Sequence, residues 1–115
     1  MNPPGESCAC GAVAYEVDTD LEGLIECNCS HCYRKGFVLA FVAPDAFRMT
    51  RDGPQTAYTF NSHMIRHQFC DTCGVESFAR GETADGAPMV AVNIRTLTDI
   101  EPWSWKADRV DGRSF

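Results

Sequence analysis

The stretch CDTCG, Cys70 to Gly74, places two thiols three residues apart and follows them with a glycine. A second stretch, CACG, Cys8 to Gly11, ends in the same Cys-Gly pair. A glycine after a cysteine lets the backbone turn with positive φ and direct amide N–H groups toward the sulfur. Because Zn–S bonds of ~2.3 Å hold tetrahedral sulfurs roughly 3.8 Å apart, both spacings suit one ion. These stretches predict a closed, structural zinc site that ties the two ends of the core together. Its ligands would be Cys8, Cys10, Cys70 and Cys73.

Seven cysteines in 115 residues are far more than an ordinary domain uses. Their number is odd, they stand in clusters, and the N-terminal MNPPGES has no apolar stretch like that of a signal peptide. Disulfides between cysteines so close in sequence are strained, and a reducing cytosol keeps them open. The pattern therefore favours metal binding over a disulfide scaffold.

The remaining thiols lie in the stretch CNCSHC: Cys27, Cys29 and Cys32. Once the four-thiolate site closes, no cysteine is left to serve as their fourth ligand. Three protein ligands with an open position are typical of catalytic zinc, so we expect a second, catalytic ion here. Three histidines could still close this site: His31, His63 and His67.

The histidines allow competing interpretations. His31 stands between two members of the triplet and would have to turn back on itself to bind the same ion. A finger-like site would use four residues: His63, His67, Cys70 and Cys73. That site leaves the N-terminal cysteines without a role and needs a helix where the sequence predicts a hairpin, so exposed or packed histidines are the simpler interpretation. A redox role for the thiols is a weaker alternative, because zinc would occupy the thiolates.

A zinc ion held by three thiolates carries excess negative charge, which weakens its power to acidify water. Such a site is better suited to hold a small substrate thiol as a soft fourth ligand. The thiolate would then attack, or leave, a small carbonyl carbon. Arg34 and Lys35 follow the triplet and are candidates to bind a substrate carboxylate, or are simply a solvated basic pair. No general base is evident, and His31 is the nearest candidate.

The overall composition excludes several function classes. A formal charge of -6 and a pI of about 4.9 provide no positive field for nucleic acid or anionic lipid. No apolar run reaches the ~20 residues that a membrane span needs. We therefore expect a soluble, cytoplasmic protein with no nucleic-acid or membrane partner and an undetermined oligomeric state. The length suits one domain, from residue 5 to residue 115.

Most hydrophobic periodicity is short and strand-like, which predicts a mainly β fold. The expected strands cover residues 11–17, 24–29, 37–43, 56–60, 64–69, 75–80 and 88–94. TFNSHMI, Thr59 to Ile65, has the composition of a hairpin turn, and APDAF, Ala43 to Phe47, that of one helical turn. Trp103 and Trp105 are expected to pack against the sheet rather than stack on a ligand.

Three stretches together, GESCACGAVAYEV, CNCSHCYRKG and RHQFCDTCG, resemble the glutathione-dependent formaldehyde-activating family. The resemblance extends over nearly the whole chain. It implies a single-domain β-tent fold with two zinc ions, one structural on Cys8, Cys10, Cys70 and Cys73, and one catalytic on Cys27, Cys29 and Cys32. It also implies carbon-sulfur lyase chemistry, in which glutathione adds to formaldehyde to give S-hydroxymethylglutathione.

A non-catalytic zinc-binding module that mediates protein interaction is the alternative function. In that case both ions are structural, and loss of the triplet would unfold the chain rather than only inactivate it.

Overall fold

The computed structural model describes residues 5–7, 10–28, 30–59, 65–83, 85–97 and 104–110. Within these ranges the fold is mainly β, as the sequence predicts. The strands are β1 (Gly5–Ser7), β2 (Val13–Val17), β3 (Leu24–Cys27), β4 (Leu39–Val42), β5 (Phe47–Asp52), β6 (Gln55–Tyr58), β7 (Arg66–Cys70), β8 (Glu76–Glu82), β9 (Pro88–Asn93) and β10 (Ala107–Val110). A short helix, α1 (Ser30–Lys35), and two 3₁₀ turns, Pro44–Ala46 and Ile94–Thr96, complete the described elements.

The described strands form two sheets. The small sheet has the order β1-β2-β5, and the large sheet has the order β10-β3-β4-β9-β8-β7-β6. Neighbouring strands are antiparallel, except that β10 runs parallel to β3. No described helix is long and apolar enough to cross a membrane.

The core lies between the two sheets and is spanned by an aromatic chain. Tyr15 on β2 stacks on Phe47 of β5 with ring centroids 5.1 Å apart, and Phe47 in turn lies 4.9 Å from Phe78 of β8. The Tyr15 hydroxyl also hydrogen-bonds Thr96, in the 3₁₀ turn that follows the large sheet's central strand β9. Aromatic pairs in this geometry add to the hydrophobic stabilisation of the interface between the sheets.

Alternate residues of the large sheet face in opposite directions. Leu24 on β3 is buried in the core, whereas its neighbour Ile25 lies opposite Leu39 of β4 and lines a cavity on the other face. Strand β9 alternates in the same way, with Val90 and Val92 in the core cluster and Ala91 on the cavity face. One face of the large sheet therefore packs in the core, and the other face lines the cavity.

Several expectations about individual elements are confirmed. The helical turn expected in APDAF is the 3₁₀ turn Pro44–Ala46. Strands β6 and β7 pair as antiparallel neighbours with Tyr58 opposite His67, although residues 60–64 between them lie outside the described part. Trp105 is half-buried and packs against the core, and Trp103 lies outside the described residues.

Other expectations need correction. The strand expected over residues 24–29 exists as β3 but ends at Cys27, and the helix α1, which begins at Ser30, was not expected. Strand β5, with the sequence FRMTRD, was not expected, because its apolar alternation is limited to Phe47 and Met49 and its other residues are polar. Strands β1 and β10 were likewise not expected, because they are short and rich in polar residues.

The use of both faces predicts unequal effects for two leucines on adjacent strands. Leu24→Ala should lower the free energy of unfolding by about 3 kcal/mol, because it leaves a cavity in a closed core where Leu24 is 1% exposed. Leu39→Ala should cost about 1 kcal/mol, since Leu39 already borders open space. Urea unfolding followed by circular dichroism measures both values. Equal losses would contradict the assignment of the faces.

Candidate functional site

Three cysteines from distant parts of the chain meet at one corner of the fold. The sulfurs of Cys10, Cys70 and Cys73 all lie within 4.8 Å of one another, and Cys10 Sγ is 3.6 Å from Cys70 Sγ. This separation is close to the roughly 3.8 Å expected for thiolates around one zinc ion. The donor set therefore fits the predicted structural site, whose other expected ligand, Cys8, lies outside the described residues.

The turn from Cys70 to Gly74 brings these sulfurs together through local backbone contacts. Gly74 has a φ of +78° and donates its N–H to the Cys70 carbonyl at 2.9 Å. The Thr72 N–H donates to Cys70 Sγ at 3.4 Å. Positive φ at a non-glycine residue is unfavourable, and N–H donors stabilise a thiolate, so the glycine and the turn suit a metal ligand.

Cys27 and Cys32 lie at the end of β3 and inside α1, respectively. Helix α1 ends because Gly36, with a φ of +71°, turns the backbone and donates to the Cys32 carbonyl at 3.0 Å. Both thiols line one cavity. The third member of the predicted triplet, Cys29, lies between these elements and outside the described residues.

The cavity beside Cys27 and Cys32 measures about 330 Å³ and lies on the outer face of the large sheet. Apolar residues make most of its wall: Ile25, Phe37, Leu39, Phe41, Ile65, Phe78, Met89 and Val110. Its described titratable residues are Cys27, Cys32, His67 and Glu76. Thiols and proton-accepting groups thus share one largely apolar space.

A second cleft, of about 440 Å³, also borders Cys27. Four of its six described lining residues are polar, Glu26, Asn28, Tyr33 and Arg109, and the other two are Val110 and Cys27 itself. Cys27 therefore borders a polar cleft and an apolar cavity at the same time.

Glu76 links two histidines in a buried cluster. Its carboxylate accepts hydrogen bonds from His31 Nε2 at 3.1 Å and from His67 Nδ1 at 2.9 Å, and the Glu76 side chain is only 3% exposed. Asn93 Nδ2, on β9, donates to the backbone carbonyl of Glu76 at 3.0 Å and so holds the start of β8 against β9. The Glu76 carboxylate is satisfied by these hydrogen bonds, as a buried carboxylate must be.

Burial lowers the pKa of His31, and the nearby charges of His67 and Lys35 act in the same direction, whereas Glu76 opposes them. The neutral imidazole is therefore favoured, and its remaining N–H can be donated to the carboxylate. The ligand atoms of His31, His67 and Glu76 lie within 4.8 Å of one another, and two imidazoles with a carboxylate are a donor set that zinc also accepts.

Arg34 and Lys35 lie in the last turn of α1 and are exposed. Lys35 borders a small cavity with His31 and Glu76, and its Nζ lies 5.8 Å from the Phe69 ring centroid. Arg34 is absent from the described lining of all three cavities. Cations at the end of a helix also complement its dipole, so their position alone does not require a ligand.

Glu76 is a site residue that the sequence analysis did not single out, and it changes the interpretation of the histidines. A glutamate inside the apolar stretch VESFAR was the available signal, since a carboxylate in a buried strand needs a partner. The finger-like alternative needs a helix at His67, but residues 66–70 form a strand, and His67 clusters with His31 and Glu76 rather than with Cys70 and Cys73. His63 lies outside the described residues.

Comparison with known proteins agrees with this architecture. The family model described as "Glutathione-dependent formaldehyde-activating enzyme" matches residues 4–109. The crystal structure of a Rhodobacter sphaeroides protein, a Northeast Structural Genomics target, is similar with a TM-score of 0.80 and 26% sequence identity. The match covers 92% of this chain and 99% of that chain.

The hydrogen bonds of Glu76 predict a large stability effect for an apolar replacement of similar length. Glu76→Met should lower the free energy of unfolding by about 3 kcal/mol, because it leaves two buried imidazoles without their acceptor. Glu16→Met is the control: Glu16 pairs with Arg48 at an exposed site, so its loss should cost at most about 1 kcal/mol. Denaturant titration of both variants is the measurement, and losses of similar size would contradict a stabilising role for the cluster.

Proposed function

Since the chain belongs to the glutathione-dependent formaldehyde-activating enzyme family, we propose that it is a zinc-dependent carbon-sulfur lyase. In the synthetic direction it would join a small thiol, such as glutathione, to a small carbonyl compound, such as formaldehyde. The structural ion would be held by Cys8, Cys10, Cys70 and Cys73, and the catalytic ion by Cys27, Cys29 and Cys32.

The position of Cys27 is the observation that carries this proposal. Cys27 borders both the polar cleft and the apolar cavity, and Cys32 lines the same cavity. A thiol in the cleft and a carbonyl compound in the cavity would therefore meet beside these two cysteines. Bringing two reactants together in this way removes much of the entropic cost of a bimolecular reaction.

Zinc, when bound to the triplet, would stabilise the substrate sulfur as a thiolate. The residues around it supply the remaining functions. In the synthetic direction a sulfur-carbon bond forms, the carbonyl double bond becomes a single bond, and the thiol proton ends on the oxygen. The reverse reaction removes that proton and expels the thiolate.

Glu76 and His67 are the described residues of the cavity, other than the cysteines, that can accept or donate a proton. His67 donates Nδ1–H to Glu76, which fixes the ring orientation and the tautomer. We assign proton transfer to this pair. His31, the nearest candidate in the sequence, contacts Glu76 from the helix side and would orient its carboxylate.

Recognition of an acidic thiol needs a cation near the cleft. Arg109 and Tyr33 line the cleft and can donate hydrogen bonds to a carboxylate. Arg34 and Lys35, the candidates from the sequence, directly follow Tyr33 in α1. From the last turn of this helix they would add positive charge to the same carboxylate contact. Arg109 supports the proposal better than they do, because it shares the cleft with Cys27.

The alternative, a zinc module that only binds another protein, requires the triplet to be structural. Two cysteine replacements separate the two functions. Cys32→Ser should remove one zinc and lower turnover of glutathione with formaldehyde by at least about 100-fold, with the fold retained. Cys73→Ser should instead lower the melting temperature, because a closed four-thiolate site contributes folding energy.

Elemental analysis measures the zinc content, and thermal melting measures stability. Exchange NMR of glutathione with formaldehyde, corrected for the uncatalysed rate, measures turnover. Unfolding of Cys32→Ser to the same extent as Cys73→Ser would favour the protein-binding module. Full turnover in folded Cys32→Ser would contradict the assignment of the catalytic site.

A further inference from the structure

Resting on the proposed function, we propose that the carbonyl substrate carries an apolar alkyl or aryl group, which occupies the cavity beside Cys27 and Cys32. Formaldehyde has no such group and would leave most of this space unfilled. The substrate class inferred here is therefore a longer aliphatic or aromatic aldehyde.

The cavity is built by one face of the large sheet. Paired residues share a face: Ile25 with Leu39, Phe41 with Ala91, Ala91 with Ala79, Gly81 with Met89, and Ala79 with His67. The smallest of these side chains lie together in the centre of the sheet, at Ala79, Gly81 and Ala91, and the larger ones surround them. Small side chains at the centre of the sheet face leave space above the backbone. The strand pairing, which brings these small residues together, therefore creates the cavity.

The size of the space suits an organic group rather than a single carbon. An apolar cavity of about 150 Å³ is known to bind benzene, so this cavity of about 330 Å³ could hold a group of six or more carbons. Phe41 and Ile65 stand at its margin, 42% and 45% exposed. Exposed apolar side chains around an apolar space favour an apolar ligand that covers them.

The charges near the cavity favour the same class. Lysine and arginine are absent from its described lining, and the acidic side chain there is Glu76. The two carboxylates of glutathione would find neither lysine nor arginine among the described lining residues and would face Glu76. The cleft also contains a carboxylate, Glu26, but it adds the cation Arg109 and the hydroxyl of Tyr33, so the charged reactant is directed there and the apolar cavity is left for the carbonyl compound.

A homologous series of ligands tests the proposal on the zinc-loaded protein. Linear alcohols from 1-propanol to 1-hexanol are unreactive probes of the cavity, and their affinity should rise about fourfold for each methylene. Titrations followed by ¹H–¹⁵N NMR should shift the amides of Ala79, Gly81 and Ala91. In turnover with glutathione, kcat/KM should rise by a similar factor per methylene from propanal to hexanal, whose carbonyl groups have similar intrinsic reactivity.

Two variants change the wall of the cavity, and a third variant is the control. Phe41→Arg places a cation at the margin of the cavity and should weaken 1-hexanol binding by about tenfold. Ala91→Leu fills the floor and should favour the shorter members of the series. Ala57→Arg adds the same charge at an exposed position of β6, outside the described lining of the cavity, and should leave the series unchanged.

The outcomes separate this inference from the proposed reaction. A series without dependence on chain length, in both binding and turnover, overturns the inference, even if formaldehyde is converted. A rise in alcohol affinity that Phe41→Arg reduces and Ala57→Arg preserves supports the apolar site. The same rise without turnover of any aldehyde supports the site and overturns the lyase reaction.

Discussion

Alternation of side chains along the central strands of the large sheet governs both the core and the cavity. Val90 and Val92 on β9 belong to the core, and Ala91 between them faces the cavity. A shift of the strand pairing by one residue would exchange these environments, placing valines on the cavity floor and the alanine in the core. The register that closes the core is thus the register that creates the candidate substrate space, and selection for stability also maintains the cavity.

The buried cluster of His31, His67 and Glu76 depends on the same register. His67 reaches Glu76 because β7 and β8 pair with an irregularity between Gln68 and Phe69, which changes the alignment near the thiol corner. A β-bulge redirects side chains in this way and is common beside active sites. The hairpin of β7 and β8, whose turn holds Cys70 and Cys73, therefore also positions the Glu76 carboxylate against the cavity. The thiol corner and the proposed catalytic centre are connected through one hairpin.

The sequence predicted the features that depend on local chemistry. The Cys-Gly turns, the buried strands such as β2 and β9, and the proximity of Cys10 to Cys70 and Cys73 all agree with the structure. Features that depend on pairing were not predictable. Strand β5 is mostly polar and is recognised as a strand through its pairing with β2, and Glu76 meets His31, 45 residues away, only through the tertiary fold. Spacing along the chain carries no information on such contacts.

Cys27 borders both the polar cleft and the apolar cavity, so different residues would select the proposed thiol and the proposed carbonyl compound. The chain carries a formal charge of -6, so its overall field repels an acidic thiol rather than attracting it. Capture of the proposed acidic thiol would therefore depend on short-range contact with Arg109, within a Debye length of about 8 Å at physiological salt. The proposed carbonyl compound would be selected by apolar contact in the cavity that also borders Cys27. Because the two walls share few residues, changes in one can alter the preferred thiol without altering the preferred carbonyl compound.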